Sequence, residues 1–424
     1  MDIGVNYRNK KKYNTGKPPR HPAKFWTWLI HLLCKIILHG KDYKIEKINT
    51  EGLKPPYMML SNHMYFIDFE IAAMATYPDP VVNVVSMDGY YLRWFLLEWI
   101  GSICTRKYTT DIPLIKNISK ALKGGAVLSM YPEARYTPCG TTSFLPEALG
   151  KLVKMNKVPV VAVIHRGNHL HTPFWNHRNP KKVPMRATFK LILTPEQIAK
   201  MSVEEINAVI KQEFQYDDYR YQKENGILIK EENRAEGLHK VLYQCPHCKA
   251  EFKMDSKGSE LFCTECGKRW TWREDGYLEA QDGNTEFDHI PDWYEWEHQN
   301  VRKEVENGTY HYEDEVDVYS LPRVLRFIPL GKAKVTHNIE NGMTLEGFYR
   351  GERYYINRRP AQMNSLHVEY DYGLIGKGDC YDISNETDSF YCHPAKQNML
   401  TKLAFATEEI YLKHQREARE ALKK

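Results

Sequence analysis

The feature that most constrains the fold of this 424-residue chain is a series of short apolar runs between residues 46 and 215. Each run is four to seven residues long, and a helix-like amphipathic stretch separates it from the next. Continuous apolar runs of this length indicate strands that are buried on both faces, as in sheets covered by helices. We therefore predict one α/β domain over residues 46–215, with strands in YMML (57–60), VVNVV (81–85), AVLSM (126–130), VPVVAVI (158–164) and ATFKLIL (187–193).

The composition excludes several other classes of protein. With 42% hydrophobic and 27% charged residues, the chain is neither disordered nor collagen-like. No charge-free apolar run reaches the length of about 18 residues that a membrane-spanning helix needs. Charge is unevenly distributed, because residues 1–44 carry a net charge of +8 while the whole chain carries +5. The basic residues of this segment are Arg8, Lys10, Lys11, Lys12, Lys17, Arg20, Lys24, Lys35, Lys41 and Lys44.

A basic segment of this kind suits a polyanionic neighbour, either nucleic acid or an anionic membrane. The apolar stretch FWTWLIHLLCKIILHG (25–40) follows, interrupted by His31 and Lys35. Phe and Trp residues settle at the membrane–water interface, and lysines suit anionic headgroups. We predict that residues 1–45 form a basic, interfacial membrane-anchoring segment, so that the protein is cytoplasmic and peripheral on the cytoplasmic face of a membrane. The alternative is a buried domain helix preceded by a solvated basic tail.

A candidate catalytic pair follows the first predicted strand. His63 comes just after YMML, and Asp68 lies five residues further on, at an edge of the sheet where α/β proteins bind ligands. An imidazole can take a proton from an alcohol, and a carboxylate on its other nitrogen orients it. Because five helical steps rotate a side chain by about 140°, we expect His63 in the loop or at the helix start, with Asp68 reaching back from the first turn. Alone, this spacing is more typical of a structural hydrogen-bonded pair.

Three further motifs change that interpretation. Gly101 precedes the cations Arg106 and Lys107, AVLSM leads into Pro132-Glu133-Ala134-Arg135-Tyr136, and Val158-Pro159-Val160 follows. Together with Asn62-His63 and Asp68, these blocks lie in the order in which they occur in the glycerophospholipid acyltransferase family, which includes lysophosphatidic acid acyltransferases, and the chain resembles that family over about residues 55–165. The third block departs from the family pattern Pro-Glu-Gly-Thr-Arg-Ser, since Ala134 alone replaces its Gly and Thr.

The resemblance implies an enzyme of the 1-acylglycerol-3-phosphate O-acyltransferase type. His63 would deprotonate the hydroxyl of a lysophospholipid or glycerol phosphate, which attacks the thioester of an acyl-CoA or acyl-carrier protein donor, and Asp68 would orient His63. Arginine suits phosphate because its planar fork bonds two oxygens. Glu133 would position an arginine, since a carboxylate repels phosphate. The implied substrate-binding residues are Asn62, Gly101, Arg106, Lys107, Glu133 and Arg135.

Two C-x-x-C pairs indicate a metal site. Fourteen residues separate the pairs, and nine cysteines in a chain this long do not make a disulfide scaffold. Four thiolates complete a tetrahedral, structural Zn²⁺ site. We predict a zinc ribbon over residues 244–280, and the acidic stretch 274–297 argues against nucleic-acid binding. The predicted ligands are Cys245, Cys248, Cys263 and Cys266.

The remaining segments complete the predicted architecture. Residues 216–243 are strongly charged and are predicted to form a helical linker. Residues 300–424 are predicted to form a β-rich domain that ends in a closing helix over about 395–422. The fold class is therefore an α/β acyltransferase domain followed by a small zinc ribbon and this β-rich domain. The altered third block leaves a second hypothesis, a non-catalytic zinc-ribbon adaptor that binds lipid or protein through a degenerate acyltransferase domain.

Overall fold

The computed structural model describes residues 2–7, 12–109, 111–376 and 378–422, so that Arg8, Lys10 and Lys11 of the predicted basic segment lie outside the described residues. The chain divides into two compact units, and each is described by itself. The first unit consists of Asn14–Thr105 and Asp111–Ile229. The second consists of Met1–Tyr13, Arg106–Thr110 and Lys230–Lys424.

These limits differ from the predicted domain limits in three places. Residues 1–13, predicted as part of the membrane segment, belong to the second unit, where Tyr7 is buried and contacts Asp388. The short segment 106–110 also belongs to the second unit. Residues 216–229, predicted as part of the linker, belong to the first.

The first unit is built on one mixed sheet. Its strands, among the described residues, are β1 Tyr43–Ile48, β2 Met58–Ser61, β3 Val81–Ser86, β4 Ile103–Thr105, β5 Val127–Met130, β6 Val160–Arg166 and β7 Met185–Leu193. Their order across the sheet is β1-β7-β6-β2-β5-β3-β4. Every neighbouring pair is parallel except β6 and β7. The five predicted strands are confirmed as β2, β3, β5, β6 and β7, and β1 and β4 are additional.

Helices pack on both faces of this sheet. They are α1 Lys24–Ile37, α2 Ile67–Thr76, α3 Met87–Tyr90, α4 Trp94–Trp99, α5 Ile112–Lys123, α6 Ala148–Asn156, α7 Asn168–His171, α8 Pro195–Lys200, α9 Val203–Glu213 and α10 Asp218–Glu224, and Phe174–Asn176 forms a 3-10 turn. Successive residues of β2 enter different apolar clusters: Met59 packs in the cluster that holds Ile71 of α2, and Leu60 in the cluster that holds Ile206 of α9. The central strands are therefore buried on both faces, as their continuous apolar runs predict.

The second unit contains two antiparallel sheets. The smaller, of order β11-β10-β9-β8, is formed by β8 Met254–Lys257, β9 Glu260–Cys263, β10 Arg269–Trp272 and β11 Leu278–Ala280. The larger, of order β15-β14-β13-β12-β18-β17-β16, is formed by β12 His311–Ser320, β13 Ile328–Asn338, β14 Gly342–Tyr349, β15 Glu352–Arg358, β16 His367–Glu369, β17 Cys380–Ser384 and β18 Ser389–Pro394. The helices are α11 Ile290–Glu306 and α12 Leu400–Ala421, with 3-10 turns at Leu238–Lys240 and Pro360–Gln362. The predicted β-rich segment and its closing helix are thus observed.

The predicted helical linker is helical only in part. The helix α10 and the 3-10 turn lie within residues 216–243, and residues 225–237 form turns and irregular backbone. Gly226 and Gly237 have φ values of +59° and +87°, a left-handed backbone that interrupts a helix. Charge alone therefore overestimates the helix content of this segment.

Candidate functional site

The candidate site lies where three neighbouring parallel strands of the first unit end. β2 is paired with β5 on one side and with β6 on the other. His63 follows the end of β2, Glu133 follows β5 and Asn168 follows β6. Because the carboxyl ends of parallel strands meet at one edge of a sheet, the loops that carry these three residues converge there.

His63 and Asp68 form a hydrogen-bonded pair at this edge. The distance from His63 Nδ1 to Asp68 Oδ2 is 3.1 Å, and the Asp68 side chain is fully buried. Oδ2 also accepts the backbone N–H groups of Met64 and Tyr65, at 2.6 and 3.1 Å. The side chain of Asn168 donates to Oδ1 at 2.7 Å. The placement predicted from the spacing is confirmed: His63 lies in the loop, and Asp68 reaches back from the first turn of α2.

The environment of Asp68 keeps it ionised. Burial by itself would raise the pKa of Asp68, but the electrostatic attraction of His165 and the hydrogen bonds with His63 and Asn168 outweigh it and hold the pKa below its ordinary value. A buried carboxylate next to Nδ1 favours the tautomer of His63 that carries its proton on that nitrogen. Nε2 is then the ring nitrogen that can accept a proton from a substrate.

Two tyrosines hold the ring of His63. Tyr131 stacks on it with a centroid distance of 3.8 Å and an interplanar angle of 18°, and Tyr136 lies at 4.3 Å. The backbone N–H of Thr137 donates to the His63 carbonyl at 2.7 Å. The His63 side chain nevertheless keeps 19% exposure, so that it can be reached from outside. Tyr131 precedes the third sequence block and Tyr136 is its last residue, but the sequence assigned neither tyrosine a role.

Asn62, predicted to bind substrate, is buried and bonds to the backbone of the neighbouring strand. Its Nδ2 donates to the carbonyl of His165 at 3.0 Å, and its Oδ1 accepts the His165 N–H at 2.8 Å. These two bonds clamp the end of β2 to β6. Asn62 therefore positions the loop that carries His63.

The third block is also buried. The Glu133 carboxylate accepts the Tyr216 hydroxyl at 2.9 and 3.0 Å, and the backbone N–H of His63 also donates to it. Burial raises the pKa of Glu133 to about 8, although the charge of the buried Arg135 acts in the opposite direction. Ala134 has a φ of +56°, a left-handed backbone at the position where the resembled family has glycine. The block thus connects through Glu133 to the loop that carries His63.

Gly101 contacts the N-terminal segment of the first unit. Its φ is +83°, and a Cβ atom placed on it would lie 2.2 Å from the backbone oxygen of Arg20. Only glycine satisfies both constraints, because other residues rarely adopt this backbone and would also clash. Gly101 therefore allows the chain around Arg20 to pack against the end of α4.

Arg106 and Lys107, the predicted phosphate-binding cations, belong to the second unit. The buried Arg106 guanidinium donates to the backbone oxygen of Glu386 at 3.3 Å, and the Lys107 ammonium contacts Nε2 of His367. Their proposed role in binding phosphate stays a prediction.

The four cysteines of the two C-x-x-C pairs lie together. Their sulfur atoms are all within 4.8 Å of one another, with Cys245–Cys266 and Cys248–Cys263 separations of 3.8 Å. A tetrahedral site with Zn–S bonds of about 2.3 Å has sulfur atoms about 3.8 Å apart, whereas a disulfide bond is only about 2.05 Å long. Within the described residues, no other group of three or more His, Cys, Asp or Glu side chains is arranged to hold a metal. The cluster is compatible with a metal site such as zinc.

The helix α1 leaves an apolar stripe uncovered. Phe25, Trp28, Leu32 and Ile36 are all exposed, and at 3.6 residues per turn they fall within about 80° of the helix circumference. Cys34, on the opposite side, is buried. In the part of the chain that the structure describes, no helix combines the length and the apolar character needed to cross a bilayer.

The similarity of this chain to known proteins is low. No protein-family model matches the chain, and no curated protein matches it. Among solved structures, the chain is similar to the crystal structure of the 1-acyl-sn-glycerophosphate (LPA) acyltransferase PlsC from Thermotoga maritima, with a TM-score of 0.32 and 14% identity over 45% of this chain and 81% of that one.

Proposed function

We propose that the protein transfers a fatty acyl group from a thioester donor to the hydroxyl of a lysophospholipid or glycerol phosphate, with His63 as general base. The observation that carries the proposal is the hydrogen bond between His63 and the buried, ionised Asp68 at the carboxyl edge of the sheet. This pair supplies a general base and the carboxylate that orients it. Both residues belong to the first of the four sequence blocks, whose order resembles that of glycerophospholipid acyltransferases.

The reaction follows from the orientation of the imidazole. Nε2 of His63 takes the proton of the acceptor hydroxyl, and the hydroxyl oxygen attacks the thioester carbonyl carbon. Asp68 stabilises the imidazolium that forms, because its carboxylate lies on Nδ1. The carbon–sulfur bond then breaks, and the leaving thiolate recovers the proton from Nε2. The products are the ester and the free thiol of coenzyme A or of an acyl-carrier protein.

The other parts of the proposal concern metal and location. The four-cysteine cluster would hold one structural Zn²⁺, because four thiolates leave no position open for a reacting water. The exposed apolar stripe of α1 would lie in the interface of an anionic membrane, where the acceptor lipid is found. We place the protein as a peripheral enzyme on the cytoplasmic face, because a Zn²⁺ site built from thiolates suits a reducing compartment.

The test is acyl transfer by His63→Ala, measured as release of free thiol from acyl-CoA in the presence of lysophosphatidic acid. We expect the variant to lose turnover while its circular dichroism and metal content stay as in the wild type. His177→Gln serves as the control, because His177 bonds to the Phe174 carbonyl and lies outside the pair. Turnover by His63→Ala at the wild-type rate would eliminate the proposed base.

A second candidate function is a non-catalytic adaptor that binds lipid or protein. Two observations favour this candidate. Arg135 is buried, and a buried arginine is less accessible to a phosphate group. In addition, Ala134 replaces the Gly-Thr of the resembled family. A wild-type protein that binds vesicles, but releases no thiol from acyl-CoA in the presence of any lysophospholipid acceptor, would support this candidate.

A further inference from the structure

A second exposed apolar face lies on α4 and the residue pair that leads into it. Phe95 and Trp99 are 55% and 54% exposed, and Leu92 and Leu96 are exposed as well. At 100° per residue, the three helical positions fall on one side of the short helix. Four large apolar side chains over eight residues exceed the scattered exposure that is normal for a soluble surface.

This face is fixed against the segment that carries α1. The ring of Trp26 meets the ring of Trp99 edge to face, with a centroid distance of 6.1 Å. Lys17 forms an ion pair of 2.8 Å with Glu98, next to Trp99. Because Gly101 packs on the Arg20 carbonyl, the end of α4 is held at a second point. The helix α1 and the apolar face of α4 are thus joined through a direct contact between the rings of Trp26 and Trp99.

Basic side chains accompany both faces. Lys24 and Lys35 lie along one flank of the α1 stripe, about 80–100° from Phe25 on the helix circumference. The guanidinium of Arg20 lies 5.5 Å from the centre of the Trp99 ring, and Arg93 is exposed beside Leu92. No acidic residue belongs to α1, and Glu98 of α4 is paired with Lys17. Apolar side chains rimmed by cations match the acyl chains and headgroups of an anionic leaflet.

We infer that α4 is a second membrane-inserting element, and that Leu92, Phe95, Leu96 and Trp99 enter the same anionic leaflet as the stripe of α1. The inference rests on the proposed membrane location of α1 and extends it to a part of the acyltransferase domain itself. Insertion at two points would fix the orientation of the domain on the membrane, whereas one helix alone would leave it free to rotate.

The experiment measures sedimentation of the full-length protein with phosphatidylcholine vesicles that contain or lack phosphatidylserine. Phe95→Asp is expected to weaken binding to the anionic vesicles by about tenfold or more, since it places a charge where an exposed aromatic side chain would enter the leaflet. Met155→Asp is the matched control, because Met155 is exposed to 53% on α6 and should leave binding unchanged. Circular dichroism and thermal unfolding check that both variants fold.

A second readout uses vesicles with brominated acyl chains, which quench tryptophan fluorescence on contact. Trp99→Phe should remove part of the quenching seen with the wild type. Unchanged binding in Phe95→Asp together with unchanged quenching in Trp99→Phe would overturn the inference. If only Leu32→Asp, a variant in the stripe of α1, loses binding, then α1 alone inserts into the membrane and the inference fails. If Phe95→Asp instead converts a dimer into a monomer by light scattering and still binds vesicles, the face is a contact between copies and the inference fails. Thiol release with a dispersed, short-chain acceptor reports on the proposed reaction independently of these results.

Discussion

The carboxylate of Asp68 holds the ring of His63 and the backbone of the loop that carries it at the same time. Its Oδ2 atom accepts a hydrogen bond from His63 Nδ1 at 3.1 Å and two more from the backbone N–H groups of Met64 and Tyr65. Replacing Asp68 by Asn removes the charge that stabilises an imidazolium and leaves fewer acceptor positions for these donors. We expect Asp68→Asn to lower kcat for thiol release by about 100-fold or more, with a smaller change in KM.

A neighbouring acid provides the control for this prediction. Glu70 lies on the same helix and is also buried, but it does not bond to His63. We expect Glu70→Gln to keep kcat within a few-fold of the wild type. Equal losses in the two variants would point to damage to α2 and away from a specific role of Asp68.

Glu133 should make the stability of the protein depend on pH. Burial raises its pKa from 4.5 to about 8, so that between these values the folded state retains a proton that the unfolded state has lost. The contribution of Glu133 to the unfolding free energy therefore falls as pH rises through this range, by up to about 1.4 kcal/mol per pH unit, and this contribution is constant above it. Glu133→Gln, which mimics the protonated form, should remove this contribution. Urea unfolding at about pH 5 and about pH 8 should show the variant gaining stability on the wild type as pH rises.

The control for Glu133 is the exposed Glu147. The variant Glu147→Gln keeps the buried carboxyl group of Glu133. It should therefore show the same pH dependence of unfolding free energy as the wild type. A pH profile that is the same for the wild type and Glu133→Gln would show that the Glu133 carboxyl is ionised in the folded protein over this range.

The strands could be predicted where their signal is local. Buried parallel strands are continuously apolar, which identified β2, β3, β5, β6 and β7 from the sequence alone. β1 was missed because YKIEKI contains three charged residues among its apolar ones. It becomes a strand by pairing with β7, in which Met185 lies opposite Tyr43. Because β7 is so distant from β1 in the chain, the hydropathy pattern of residues 43–48 does not indicate this pairing.

Within the candidate site, too, the features set by local spacing could be predicted from the sequence, whereas contacts between distant residues could not. The His63–Asp68 pair and the two C-x-x-C pairs follow from spacings of a few residues, which fix the local geometry. Asn168 bonds to Asp68 across 100 residues, and Tyr216 bonds to Glu133 across 83. The position of each residue along the chain indicated neither bond. The first forms where the segments after β2 and β6 meet, and the second where the loop after β5 meets the segment between α9 and α10. The tyrosines that pack on His63 required the tertiary structure for the same reason.

The cysteine cluster predicts a dependence on metal. Purified protein should contain about one zinc per chain, and Cys263→Ser should lose it, because a structural site needs all four ligands. Since metal binding contributes to folding, chelation should lower the unfolding temperature of the wild type. Metal analysis and thermal unfolding check both points. Cys380→Ser is the control in the same unit, because Cys380 is buried in β17 outside the cluster. Full zinc content in Cys263→Ser would contradict the assignment.

Two glycines of the first unit separate backbone strain from steric clash. Gly101 and Gly125 have nearly equal φ values, +83° and +81°, but a Cβ atom at Gly125 would meet nothing within 4 Å, whereas at Gly101 it would lie 2.2 Å from the Arg20 oxygen. Gly125→Ala should therefore cost only the strain of a left-handed backbone, about 1–2 kcal/mol in unfolding free energy. Gly101→Ala should cost more, because the chain around Arg20 must also move away from α4. Urea unfolding compares the loss of unfolding free energy in the two variants. Vesicle sedimentation should show weaker binding for Gly101→Ala alone, because the contact between the rings of Trp26 and Trp99 depends on the packing of α4 against the chain around Arg20.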